Sequence, residues 1–210
     1  MGLLDSLTRK ASQAITSAGS AGVRKVVKSA GDAVSGAVTA TAQKITNKSE
    51  KMTFDSLPTS VDELRAMKGS ELTSPFCTAA LTVAALCRYA EDPQATFDML
   101  NYLKGPQPLN GMQEAFIKDR FMDGKIYVAY SYFEGAVSEN NYTPDKPYKI
   151  TVFEDGHSND EDGYARLYIR SGGADSPRPI KLRRKGEQWF LWEQYLLPDI
   201  RKPSALDPWA

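Results

Sequence analysis

The chain has 210 residues, 26 basic and 26 acidic side chains, and a formal net charge of zero. That length allows one or two domains with a substantial hydrophobic core. Two cysteines and one histidine exclude a disulfide-rich secreted scaffold and a metal site built from several histidines. No apolar run in the sequence is long enough to cross a bilayer as a helix.

The first 51 residues differ in composition from the rest. No aromatic residue precedes Phe54 and no proline precedes Pro58, although the chain holds 21 aromatic residues and 12 prolines. Eight Lys/Arg stand against three Asp/Glu in this segment, so it carries a net charge of +5 and the remainder −5. A segment of mostly small residues cannot build a globular core. We therefore predict an arm at residues 1–51, a linker at 52–59 and a domain at 60–210.

Apolar residues recur in the arm with a period of eleven, which equals three turns at 3.67 residues per turn and so forms one straight stripe on a helix. The stripe consists of Leu4, Leu7, Ile15, Val23, Val26, Val27, Val34, Val38 and Ile45. The cations predicted to face anionic groups at its border are Lys10, Arg24, Lys25, Lys28 and Lys44. In pattern, though not in descent, the arm resembles the lipid-surface helices of synucleins and apolipoproteins. The resemblance implies an interfacial helix that orders on anionic lipid.

Other interpretations of the arm stay open. Interior glycines such as Gly22 and Gly31 each cost about 0.5–1 kcal/mol relative to alanine, so we expect the free arm to be largely unfolded in water. It is then a disordered tail, or a helix that orders by self-association or on a protein partner. The start Met1–Ser6 also fits the N-myristoylation pattern. Because the first residues lack the apolar core of a secretory signal, we expect a cytoplasmic protein, peripheral on the inner face of the membrane if the arm binds lipid.

Capping signals predict four helices between residues 60 and 124. Ser60 and Glu63 form an S-x-x-E capping box, and Ser74-Pro75 and Asp92-Pro93 each pair an N-cap with a proline at the first helical position. The second helix is apolar on nearly all sides, which predicts a buried central helix. The predicted helices cover residues 61–67, from Pro75 through Cys87, from Pro93 to about Gly105, and 111–122.

After Gly124 the pattern changes to the alternation and Gly/Asp/Asn/Pro turns of strands. We predict strands at 125–133, 147–153, 164–171, 179–183 and 189–195. About four helices followed by an antiparallel sheet of four or five strands make an α+β fold. Trp189, Phe190 and Trp192 are predicted to pack the sheet against the helices.

Two phrases in this half of the chain are long enough to be specific: SYFEGAVSENNYTPDKPYKITV at 131–152 and SGGADSPRPIKLRRKGEQWFLWEQYLLPDIRKP at 171–203. They resemble an uncharacterised bacterial family, domain of unknown function number 6935, over residues 54–208. The resemblance implies a bacterial, mostly Firmicutes-type origin and a single α+β domain. It implies no activity and no catalytic residue.

The residues predict no catalytic centre, metal site or cofactor. His157 lies in the polar segment EDGHSNDEDG at 154–163, whose carboxylates suit a hard cation but lack the spacing of a calcium-binding loop. A solvated hairpin tip is the simpler interpretation. Gly172 and Gly173 lack the Lys-Ser/Thr and the helix that follow a phosphate-binding loop.

One candidate anion patch lies near Trp189 and Trp192. Its cations are Arg178, Lys181, Arg183, Arg184 and Lys185. A basic and aromatic mixture suits nucleic acid or another anion, but the acidic balance of the domain makes nucleic acid an unlikely partner, and a solvated sheet face is the alternative. A ligand pocket lined by Tyr130, Tyr132, Tyr168 or Trp192 also stays open.

Together these features predict a non-enzymatic protein whose arm brings its α+β domain to an anionic lipid surface or a partner assembly. The alternatives are a small-ligand-binding or unrecognised enzymatic domain, and a structural subunit that self-assembles through the arm.

Overall fold

The computed structural model describes residues 48–207, so the arm lies outside the described part except for its last four residues. The described part has five helices and a five-stranded antiparallel sheet, which confirms the α+β class. Its helices are α1 (Val61–Ala66), α2 (Pro75–Leu86), α3 (Pro93–Lys104), α4 (Gly111–Phe121) and α5 (Tyr127–Tyr130). Its strands are β1 (Ser49–Phe54), β2 (Tyr148–Phe153), β3 (Tyr164–Ile169), β4 (Arg178–Lys185) and β5 (Gln188–Gln194). Within residues 48–207, no helix is both long and apolar enough to cross a membrane.

The predicted helix starts are present. The side chain of Ser60 accepts from the backbone N–H of Glu63 at 3.3 Å, and the Glu63 carboxylate accepts from the backbone N–H of Thr59 at 2.8 Å. That second hydrogen bond lowers the pKa of Glu63. Ser74 and Asp92 cap α2 and α3 through the N–H groups three residues on, which satisfies donors that have no partner inside a helix.

Helix α2 is the buried centre of the fold. Ten of its twelve residues are buried, and it packs against all five strands. Its few polar side chains bond to backbone: Thr82 donates to the carbonyl of Thr78 at 2.8 Å, and Thr78 donates to the carbonyl of Trp189 at 2.9 Å. A helix apolar on every side needs neighbours on every side, and α2 has the sheet on one side and the other helices around it.

The sheet begins earlier than the sequence predicted. Its strand order is β1-β2-β3-β4-β5, and β1 pairs with β2 along its whole length, from Ser49 opposite Phe153 to Phe54 opposite Tyr148. The predicted boundary between the arm (1–51) and the linker (52–59) lies inside this edge strand, which covers residues 49–54. Inward-facing Met52 and Phe54 pack on the core, whereas Lys51 is exposed.

The predicted strand at 125–133 is also wrong. This segment forms the short helix α5 followed by turns. Tyr127, Val128 and Ala129 are buried in succession. A strand with one solvent-exposed face would expose every second side chain, whereas the helical turn packed against α2 buries these three neighbours.

The segment after α5 fills a gap between β2 and β3. These strands pair only at Val152–Ile169 and Phe153–Tyr168. Beyond that point the Glu134 N–H donates to the carbonyl of Lys149 at 2.9 Å, and the Gly172 N–H donates to the carbonyl of Ser131 at 2.8 Å. Residues 131–137 thus satisfy backbone groups that the separated strands leave open.

The free edge of β5, opposite to β4, is hydrogen-bonded to helices and loops. The Trp189 N–H donates to the carbonyl of Leu72 at 2.7 Å, the Trp189 carbonyl accepts from Thr78, and the Trp192 carbonyl accepts from Lys104 at 3.2 Å. A bulge between Lys181 and Leu182 in the β4–β5 register leaves Trp192 as the extra residue of β5. Trp189 and Phe190 pack against the core as predicted, but Trp192 lies at the β5 edge, where its ring contacts Tyr164 and Arg183.

Candidate functional site: the outer face of the sheet

The sheet has two faces of different chemistry. The inner face, toward the helices, carries fully buried apolar side chains such as Leu167, Ile180 and Leu182. We call the opposite side the outer face; it carries the alternate residues of β3 and β4 together with parts of β2 and β5. The outer-face residues used below are Phe153, Tyr164, Arg166, Tyr168, Arg170, Lys181, Arg183, Lys185 and Trp192.

Cations and rings interleave at the β4–β5 end of the outer face. The ammonium of Lys181 lies 4.2 Å from the ring centre of Tyr164, and the guanidinium of Arg183 lies 4.5 Å from the ring centre of Trp192. The Tyr164 and Trp192 rings meet edge to face with centres 5.9 Å apart. Contacts of this kind are electrostatically favourable and hold flexible cationic side chains in fixed positions.

A second group continues across β2 and β3. Phe153 and Tyr168 are directly opposite in the register, and their rings stack with centres 6.1 Å apart. Arg166 lies 5.7 Å from the ring centre of Tyr168, and Arg170 lies 5.4 Å from that of Phe153. Each guanidinium keeps its N–H donors available, because contact with a ring face uses none of them.

The outer face differs from the helices in how its cations are compensated. Four cations on the helices or at their ends pair with nearby carboxylates: Arg65 with Asp62, Arg88 with Glu91, Lys118 with Glu114, and Arg120 with Asp119. Within residues 48–207, no carboxylate lies within 4 Å of Arg166, Arg170 or Arg183, whereas Lys181 pairs with Glu161 at 2.6 Å. The three guanidinium groups are therefore suited to bind an external anion, which they can contact in bidentate fashion.

The structure divides the predicted anion patch. Lys181, Arg183 and Lys185 occupy alternate positions of β4 on the outer face. Arg178 instead donates to the carbonyl of Asp199 at 2.8 Å, and Arg184 donates to the carbonyl of Gly186 at 2.9 Å. Arg166 and Arg170, which the sequence analysis did not select, join the outer-face cations. The alternation in YARLYIRS already placed Arg166 opposite to Leu167, but only the pairing of β3 with β4 brings it beside Lys181.

The predicted loop around His157 connects β2 to β3. The His157 imidazole is exposed, and its Nδ1 lies 2.8 Å from the Asp160 carboxylate. That hydrogen bond raises the pKa of His157. In the part of the chain that the structure describes, no group of three or more His, Cys, Asp or Glu side chains is arranged to hold a metal ion.

The four aromatic residues suggested for a ligand pocket do not line one cavity. Tyr132 is buried and donates to the carbonyl of Leu196. Tyr130 donates to the carbonyl of Cys87 at 3.4 Å, and burial raises its pKa to about 12. Tyr168 belongs to the outer face. Trp192 lines a groove of about 460 Å³ at the β5 edge.

A broad cleft of about 660 Å³ lies on the outer face, between the His157 loop and the end of β5. Arg166 and Lys181 line it together with Glu161, Glu193 and the exposed Tyr195. The Tyr195 hydroxyl donates to the Glu193 carboxylate at 2.8 Å. The cleft therefore holds carboxylates as well as cations. Arg183, which lies beside it over the Trp192 ring, has no carboxylate within 4 Å among residues 48–207.

The predicted lipid- or partner-binding residues, from Leu4 to Ile45, lie outside the described residues.

Comparison with known proteins identifies the family and nothing beyond it. A family model described as a domain of unknown function, DUF6935, matches residues 56–204. No curated protein matches the chain, and no solved structure matches it. The match covers most of the described part; among its α-helices and strands only β1 lies outside the match. The chain therefore belongs to the DUF6935 family of domains of unknown function.

Proposed function

We propose that the chain is a peripheral attachment protein whose residues 1–46 bind an anionic lipid surface and hold the α+β domain there. The observation that carries this proposal is the eleven-residue repeat, which gathers nine large apolar residues into one stripe within residues 1–46, a segment of net charge +4. The apolar stripe gains free energy when it leaves water, and the cations gain free energy near an anionic surface. A lipid surface with anionic headgroups offers both.

The proposed mechanism is ordering coupled to binding. Glycines and small residues leave the free arm too weak a helix to persist alone. At a bilayer, each valine, leucine or isoleucine that leaves water contributes about 1.5–3 kcal/mol, and each lysine or arginine near an anionic surface contributes about 1 kcal/mol. Ordering the backbone costs free energy that the hydrogen bonds of a weak helix offset only in part, so we expect binding to need the stripe and the cations together. We therefore expect the arm to bind anionic membranes and not neutral ones.

The domain supports the same class of partner. Arg166, Arg170 and Arg183 lie on one face of the sheet without carboxylate partners among residues 48–207. Rings hold each of them in place, so an anion that binds them costs little side-chain entropy. Acidic headgroups are such anions.

The test is sedimentation of the full chain with vesicles of phosphatidylglycerol or of phosphatidylcholine. We expect binding to the anionic vesicles alone. Val26→Asp with Val34→Asp places two charges in the stripe and weakens binding by about a hundredfold or more. Ser17→Asp with Ser35→Asp adds the same charge at positions that the repeat predicts on the polar face, and should weaken binding by no more than about thirtyfold.

Two results would contradict the proposal. The stripe variant could bind as well as the parent, or helicity could rise with protein concentration in the absence of lipid. The second result would make the arm an assembly element and the protein a structural subunit. Circular dichroism of the full chain, with and without vesicles over a range of concentrations, separates the two results.

A further inference from the structure

An apolar groove lies between α4 and the edge strand β5. It encloses about 460 Å³, a volume in the range of small-molecule sites. Its walls include Leu109, Met112, Phe116, Ile117, Trp192 and Tyr195. It forms because α4 buries only Ile117 and Phe121, so the Met112–Phe116 row of that helix stands away from the sheet.

The groove exposes apolar surface that the fold leaves uncovered. Met112 is 83% exposed, Tyr195 50% and Phe116 39%. These are three of the seven most exposed large apolar side chains in residues 48–207, and all three line one groove. Apolar surface concentrated in a concave site gains free energy when a matching apolar group displaces water from it.

Lys104, at the end of α3, gives the groove a buried positive charge. The residue is 6% exposed, and its Nζ donates to the carbonyl of Trp192 at 3.2 Å. Within residues 48–207 no carboxylate lies within 4 Å of this ammonium group. Burial lowers the pKa of Lys104, and the more distant Glu193 partly opposes that change. A buried ammonium group with one neutral acceptor is incompletely compensated, and an anion beside it restores the balance.

Glu193 limits where that anion can lie. It also lines the groove, but it is exposed and accepts from the Tyr195 hydroxyl at 2.8 Å. A ligand anion must therefore lie toward Lys104 and away from Glu193. One buried cation matches one negative charge, whereas a phosphate monoester carries about −1.5 to −2 and would leave charge uncompensated.

We propose that this groove binds a long-chain carboxylate, with its carboxylate accepting from Lys104 and its hydrocarbon tail against Met112, Phe116 and Trp192. The site belongs to the domain and does not depend on the arm, so it goes beyond the membrane attachment proposed above. The geometry assigns the two halves of the ligand to two kinds of residue, and each half can be tested separately.

The experiment titrates the full chain with palmitate, below the concentration at which palmitate forms micelles, and follows tryptophan fluorescence and heat. The alcohol with the same tail is the matched ligand without charge. We expect palmitate to bind about tenfold more tightly than the alcohol, the factor that one charge-assisted hydrogen bond supplies. Lys104→Met keeps the length and apolar stem of the side chain and should remove that preference. Lys118→Met, on α4 but outside the groove lining, should retain it.

Two more variants test the tail and the sign of the charge. Met112→Asp changes an exposed residue, so the fold survives, and it should weaken palmitate and alcohol alike. Glu193→Gln removes the opposing carboxylate and should tighten palmitate only. The proposal is overturned if Lys104→Met leaves the preference for palmitate unchanged, if Met112→Asp has no effect, or if palmitate does not bind.

The arm must be separated from the groove, because an amphipathic segment can itself bind fatty acids. The same titration is repeated on Val26→Asp with Val34→Asp. Retained palmitate binding supports the groove whether or not the arm binds vesicles. Palmitate binding that disappears in this variant and persists in Lys104→Met would assign the ligand to the arm and overturn the inference.

Discussion

The two faces of the sheet use the same strands for different purposes. On β4, Leu182 points inward and is fully buried, while its neighbour Arg183 points outward and is exposed. The inner face holds the helices through apolar contact, and the outer face holds cations on aromatic rings. We therefore expect the stability of the fold and any binding by the outer face to respond to different substitutions, even at neighbouring positions of one strand.

The greatest loss of stability is expected from a substitution on the inner face. Leu182→Ala should lower the free energy of unfolding by about 2–5 kcal/mol, because it removes a buried side chain and leaves a cavity. Arg183→Ala, next to it on the strand, should change that free energy by no more than about 0.5 kcal/mol. Urea denaturation of both variants measures the contrast. Equal losses would mean that the outer face also carries the fold.

A moderate loss of vesicle binding is expected when outer-face arginines are removed. Arg166→Gln with Arg183→Gln should weaken binding of the full chain to anionic vesicles by about thirtyfold, at about 1 kcal/mol per cation. The helix pair Lys118→Gln with Arg120→Gln removes the same charge from cations that already have carboxylate partners, and should change binding less. Vesicle sedimentation at low and high salt measures both. Equal losses in the two pairs would show that only net charge matters.

The smallest effect concerns the exposed loop beside the outer face. The hydrogen bond to Asp160 raises the pKa of His157 above its ordinary value, and Asp160→Asn should return it toward that value. Since the pKa is raised in the folded state, the contribution to stability is present below the ordinary pKa and is lost as pH rises through the raised one. The imidazole proton signals in an NMR titration measure the shift. An unchanged pKa in Asp160→Asn would show that the hydrogen bond is absent in solution.

The sequence predicted those elements whose signals are local. Ser74-Pro75 and Asp92-Pro93 mark the starts of α2 and α3 because an N-cap acts within four residues of itself. The alternation of β3 and β4 likewise follows from a single strand with one buried face. The order of α1–α4 followed by β2–β5 was predictable from such local signals.

The errors come from pairing between distant residues. Residues 49–51 are predicted as the end of the arm and 52–54 as the start of the linker because Lys51 and Thr53 are polar, but together they form β1, an edge strand whose partner, β2, lies far along the chain. Residues 125–133 read as a strand because their aromatic and β-branched residues favour one, yet packing against α2 selects a helical turn. The same reason hid the outer-face arginines and the groove: Arg166, Lys104 and Trp192 come from separate elements, and only the fold brings them together.

The closed edge of β5 has a consequence for how copies of this protein can associate. Its outward backbone groups at Trp189 and Trp192 are already bonded to Leu72, Thr78 and Lys104. A further strand cannot add there without breaking those bonds. If two copies join by extending one sheet into the next, they must use β1, and the joint would lie where the chain leaves the sheet toward its arm.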